Sequence, residues 1–147
     1  MRRVWLALAC LAATTALTAC SNNAERDKSV DDIAKAVRDL QSAMKDETKA
    51  VKSGDARDEV ESVQLVAQVE SNKLSKLSQR APAETQDFAD AAEAWARAVA
   101  TSRTAILEQA DESTSTAAMM NVRLATRTMD AEAADLHVDP WLKLDQY

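Results

Sequence analysis

From Ser29 onward the chain reads as four apolar stripes at helical spacing, separated by short polar or helix-breaking stretches. In the first, Val30, Ile33, Val37, Leu40, Met44 and Val51 recur at steps of three, four and seven, the pattern of a helix with one buried face. Ser29, with Asp32 three residues on, resembles a capping box at its start. Lys49 and Lys52 complement its C-terminal dipole, and Gly54 stands where a left-handed cap is needed, so the helix is expected to end near Lys52. Asp55 can cap a second helix carrying Val60, Val63, Ala67, Leu74 and Leu77, which Pro82 stops near Arg80. The third stripe is Phe88, Ala92, Trp95, Val99, Ser102 and Ile106, with Ala91, Ala94, Ala96, Ala98 and Ala100 between, a helix that neighbours can approach closely. The run from Asp111 to Thr116 supplies N-capping residues and places a turn there without any Gly or Pro. A fourth helix then carries Met119, Met120, Val122, Leu124, Met129, Ala133 and Leu136 and ends before Asp139-Pro140.

Turns near residues 54, 82 and 113 make the helices similar in length, about 24 residues or ~36 Å each. Folding about the first turn sets Met44 opposite Val63, Leu40 opposite Ala67 and Val30 opposite Leu77. Folding about the second sets Leu77 opposite Phe88 and Ala67 opposite Val99. Apolar positions meet apolar positions, so the expected architecture is an all-α, up-down-up-down four-helix bundle. The alternative is a long helical hairpin or three-helix bundle in which helices 3 and 4 are fused. Composition agrees with the all-α class, because one Gly and two Pro leave few residues for hairpin turns.

Ahead of the bundle, Met1-Arg2-Arg3 is followed by an apolar run from Val4 to about Leu17, too short for the ~20 apolar residues that span a bilayer. It closes on Leu17-Thr18-Ala19-Cys20: an aliphatic residue, two small ones and a cysteine. This segment resembles the lipobox of bacterial lipoproteins, and the resemblance covers only the first twenty or so residues. It implies a signal peptide over 1–19, recognition of Leu17, Thr18 and Ala19 by the processing peptidase, and a diacylglycerol on the Cys20 thiol with acylation of the new amino group. A thiolate is the nucleophile this step needs; a serine hydroxyl at neutral pH is not. In such proteins Ser21, rather than Asp, after the lipidated cysteine implies the outer membrane, facing the periplasm; a cell with a single membrane would keep the protein there. Residues 20–28 lack periodicity and are expected to form a lipidated, non-helical tether reaching at most ~28 Å. The bundle domain spans 29–138, and an apolar tail spans 139–147.

Processing subtracts two arginines and no acidic residue from the 18 Lys+Arg and 24 Asp+Glu of the 147-residue chain, leaving a formal charge of −8. That argues against nucleic acid as a partner and against adsorption to an anionic membrane through a polybasic patch. The lipid on Cys20 must do the anchoring. Cys10 leaves with the signal peptide, so no disulfide forms within the mature chain, and a hydrophobic core must hold the domain.

Catalytic and metal-binding patterns are scarce. His137 is the lone histidine, which leaves a zinc site without ligands and a triad without support; near a helix C-terminus it reads as a dipole partner. The Glu-x-x-His pair of di-iron bundles is absent, as is Cys-x-x-Cys-His for haem. His137 would lie near Val30, about fourteen helical residues or ~20 Å from Met44, too far apart for shared axial ligation. No cofactor or metal is expected. Met119, Met120 and Met129 suit an adaptable binding surface or, with Met44, a soft copper site, but their periodicity reads as core. Glu47 and Glu70 occupy stripe positions and are expected to reach solvent at a widened edge, with Arg57 and Lys73 as candidate partners. Arg97, Arg103, Arg123 and Arg127 read as solvated.

The tail places Trp141, Leu142, Leu144 and Tyr147 at the bundle end that carries Cys20. Three roles fit: a cap on the open bundle end, a partner anchor, or an interfacial membrane contact. The expected function is a non-catalytic, membrane-anchored lipoprotein acting by protein–protein contact in the cell envelope, as an adaptor, assembly factor or pilot-like chaperone. Alternatives are an immunity or inhibitor lipoprotein whose negative charge speeds association with a basic enzyme, and small-ligand or lipid binding inside the bundle, lined by Met44, Trp95 and the fourth-helix methionines.

Overall fold

The structure is a computed structural model, and it describes residues 5–53 and 56–138, with side chains over 23–52 and 57–138. The described residues form an all-α four-helix bundle of α1 (Trp5–Ser53), α2 (Ala56–Ser78), α3 (Ala83–Leu107) and α4 (Glu112–Asp135), with no strand among them. The expected caps at Gly54 and Asp55 lie outside the described residues. Helices 3 and 4 are separate, which excludes the fused alternative.

Polar ties record the topology. Ser29 Oγ meets Thr85 Oγ1 at 3.1 Å, and the Arg103 guanidinium meets the Glu47 carboxylate, so both ties join α1 to α3 with the same offset of 56 residues. A constant offset means parallel helices. Within each helix the tied positions are eighteen residues apart, five turns, so they share a face ~27 Å apart. Between α2 and α3, Gln64 donates to Thr104 and Ser78 to Asp90; the α3 number falls as the α2 number rises, as an antiparallel pair requires. The C-terminal end of α4 returns beside the residues of α1 around Val30.

α3 is the hub. It packs against all three other helices and buries eleven residues, including Phe88, Trp95 and Val99, whereas α4 buries Ala118, Met129 and Ala133. Ile33, Val37, Leu40 and Met44 from α1 and Val63, Ala67 and Leu74 from α2 complete the core. α4 lies mainly on α3, and α1 and α4 form no comparable seam among the described residues.

The tether is a correction. Residues 21–28 continue α1 without a break instead of forming a non-helical segment. Their lack of an apolar stripe reflects solvent on nearly every side, since 23–25, 27 and 28 are exposed, and Ala, Glu, Arg and Lys are good helix formers with no Gly or Pro to stop them. Ser29 is therefore an interior helix residue, and its hydroxyl serves the tie to Thr85.

The turn between α3 and α4 explains how the chain stops a helix without glycine. Gln109 adopts φ 54°, its N–H donates to the Ile106 carbonyl, and the Ala110 N–H donates to the Ala105 carbonyl, a Schellman cap. His137 does the same for α4, with φ 57° and donation from His137 and Val138 to the carbonyls of Ala134 and Ala133. Asp111 then caps α4: its carboxylate accepts from the Thr114 backbone N–H at 2.9 Å and from the hydroxyls of Ser113 and Thr114. These hydrogen bonds, Ser113 first, lower its pKa to about 2. A left-handed conformation costs a residue with a Cβ roughly 1 kcal/mol, so Gln109→Gly is expected to stabilise the protein by about that much. Thermal denaturation should read the change as a rise of roughly 4 °C. An unchanged or lower melting point would contradict the cap.

Candidate functional site

Sequence reasoning proposed three places for function: the lipidation segment, the tail and the bundle interior. Leu17, Thr18, Ala19, Cys20 and Ser21 fall within the span of α1, but their side chains lie outside the described residues. Trp141, Leu142, Leu144 and Tyr147 also lie outside them.

The interior does not bring together the residues expected to line a ligand cavity. Met44 and Trp95 are core residues, but of the α4 methionines only Met129 joins them. Met119, Met120 and Leu124 are 55%, 63% and 65% exposed and face away from the core, which corrects the sequence reading. The inward stripe of α4 is instead buried Ala118, Met129 and Ala133 with partly buried Val122 and Ala125, continued by Leu136 just past the helix end, at steps of three and four. Small side chains at 118, 125 and 133 let the α3 backbone approach, and the bulkier neighbours turn outward. Ile106 and Val51, also expected inside, are exposed at their helix ends.

The two stripe glutamates are buried, not solvated. Glu47 receives Arg103 Nε at 3.1 Å to both oxygens and Nη2 at 2.7 Å to Oε2, a two-pronged pair linking α1 to α3. Arg103 is thus no surface charge, and Arg57 is not the partner. Glu70 does pair with Lys73, whose Nζ lies 3.1 Å from Oε2 and 3.9 Å from Asp39 Oδ2. The Glu70 contact is off the hydrogen-bonding angle, so Oε2 is buried with charge compensation but no hydrogen bond. Burying these charges is tolerable because each faces an opposite one. Their signal in the sequence was an acidic residue at an apolar register position; the basic partner, 56 residues away for Glu47, carried none.

At the opposite end, Arg26, Asp27, Val30, Asp31, Ala34 and Arg38 of α1 face Leu136, His137 and Val138 across an open groove of ≈ 320 Å³. His137 is exposed and acts as the left-handed cap, its Nδ1 3.3 Å from the Asp135 carbonyl. Among the described residues no three His, Cys, Asp or Glu side chains cluster to hold a metal, and no helix is long and apolar enough to cross a membrane.

The arrangement therefore defines a class by fold alone, a helical bundle whose ionic groups serve packing and whose outermost helix carries an apolar face on the solvent side. No protein-family model, curated protein or solved structure matches the chain.

Proposed function

We propose that this chain is a bacterial lipoprotein that acts without catalysis, as a membrane-anchored interaction protein of the cell envelope. The carrying observation is Leu17-Thr18-Ala19-Cys20 at the end of a short apolar run preceded by two arginines. After cleavage Cys20 is the first residue, bears the acyl chains, and holds the bundle on the outer membrane, facing the periplasm; Ser21 carries that sorting assignment. The continuity of α1 supports a short, stiff standoff: Ser29 lies nine helical residues, or ~14 Å, along the axis from Cys20, so the bundle stands close above the lipid. The core groups are spent on packing, and the apolar residues left at the surface on α4 support recognition of another protein.

Metabolic labelling with a fatty acid, followed by crosslinking in cells and purification, tests both parts. The intact chain is expected to carry the label and to bring down a stoichiometric envelope partner; Cys20→Ser is expected to lose both. A chain that takes no label refutes the lipoprotein assignment. Labelled chain that brings down no partner refutes the adaptor role.

A further inference from the structure

We propose that the outward face of α4, centred on Met119, Met120 and Leu124, docks an acidic amphipathic helix of a partner protein. This rests on the interaction role above and names its surface. α4 is apolar on two faces, and packing on α3 accounts for one. On the other, Met120 and Leu124 form one row at a spacing of four, and Met119, Arg123 and Arg127 form the adjacent row; all five are exposed. Two flexible thioethers beside a leucine make an apolar surface that adapts to a partner side chain.

Charge selects the partner. Residues 113–128 contain two arginines and no Asp or Glu, in a chain whose formal charge is −6 overall. Neither Arg123 nor Arg127 pairs with a carboxylate among the described residues. A cationic, apolar strip on an otherwise acidic molecule is complementary to a helix with anchors at i and i+3 or i+4 and carboxylates beside them. A second copy of this chain fits poorly, because a two-fold contact centred on the strip sets the same two arginines against themselves. The anionic face of the anchoring membrane fits poorly too: Leu124 lies about as far along the bundle as Asp39 of α1, nineteen helical residues or ~28 Å from Cys20.

The test places a photoreactive residue at Leu124 of the full lipidated chain in cells, with a second at exposed Glu61 on α2, and sequences the crosslinked peptides. The expected adduct from position 124 is a protein segment with helically spaced apolar residues flanked by Asp or Glu. Its yield should fall about tenfold in Arg123→Glu/Arg127→Glu, with the melting temperature of that variant unchanged. Adducts to lipid, to a second copy or to a segment lacking that pattern, or none at all, overturn the assignment. A protein adduct from position 61 alone overturns the α4 surface and leaves the interaction role standing; no protein adduct from either position removes both.

Discussion

Trp95→Ala is expected to cost about 4 kcal/mol and to lower the melting temperature by on the order of 15 °C. Trp95 is fully buried midway along α3, the helix that touches every other, and heads the fully buried side chains by size. Alanine would leave a void bordered by helices tied at both ends, through Ser29–Thr85 and Glu47–Arg103, which restrains the collapse that could fill it. Against a total stability of roughly 5–15 kcal/mol the loss is a large fraction. The matching control is Leu124→Ala, expected within about 0.5 kcal/mol because that side chain is 65% exposed. Chemical denaturation of both variants, each in a Cys20→Ser background, reads the orientation of two helices at once. Equal losses would mean that α4 turns Leu124 inward.

The same two residues show what the sequence disclosed. Trp95 lay on a stripe with Phe88, Ala92 and Val99, while the rest of the helix was mostly alanine, polar or charged, so its burial was legible from spacing. Bundle class and antiparallel order followed from such stripes and from Pro82. α4 misled for the opposite reason. Its largest apolar residues sit off the stripe that packs, and a hydrophobicity pattern weights Met and Leu above the Ala118, Ala125 and Ala133 that make the contact. Which of two apolar faces is buried depends on how closely the neighbouring backbone can come, and that is a property of α3. The polar run of 21–28 failed similarly, since periodicity detects burial and a helix surrounded by water has none. The left-handed cap on Gln109 was invisible because glutamine carries no preference for that conformation, and a single histidine at 137 is too weak a signal for one. The proposed lipidation segment, in contrast, would be read by enzymes as sequence, so its legibility does not depend on the fold.

Arg103→Ala is expected to destabilise the protein by about 3 kcal/mol, whereas Glu47→Leu/Arg103→Met should recover most of that loss. Glu47 is 6% exposed and its carboxylate is met from α3 by both Nε and Nη2 of Arg103. Removing the guanidinium leaves a buried anion without the ion pair that offsets its desolvation. Removing both charges and filling the space restores packing, because the attraction within such a pair does little more than offset the cost of taking two ions out of water. Equilibrium denaturation of the two single variants and the double variant closes the cycle, and the expected coupling is of the same order as the single loss. Additive losses would show instead that water reaches the pair and screens it. With coupling, the value of the pair lies in register. α3 is lined with alanines at nearly every level, so an apolar seam alone distinguishes poorly between sliding α1 up or down by a turn. A carboxylate that must find one guanidinium, in phase with a hydroxyl pair five turns away, penalises every other alignment.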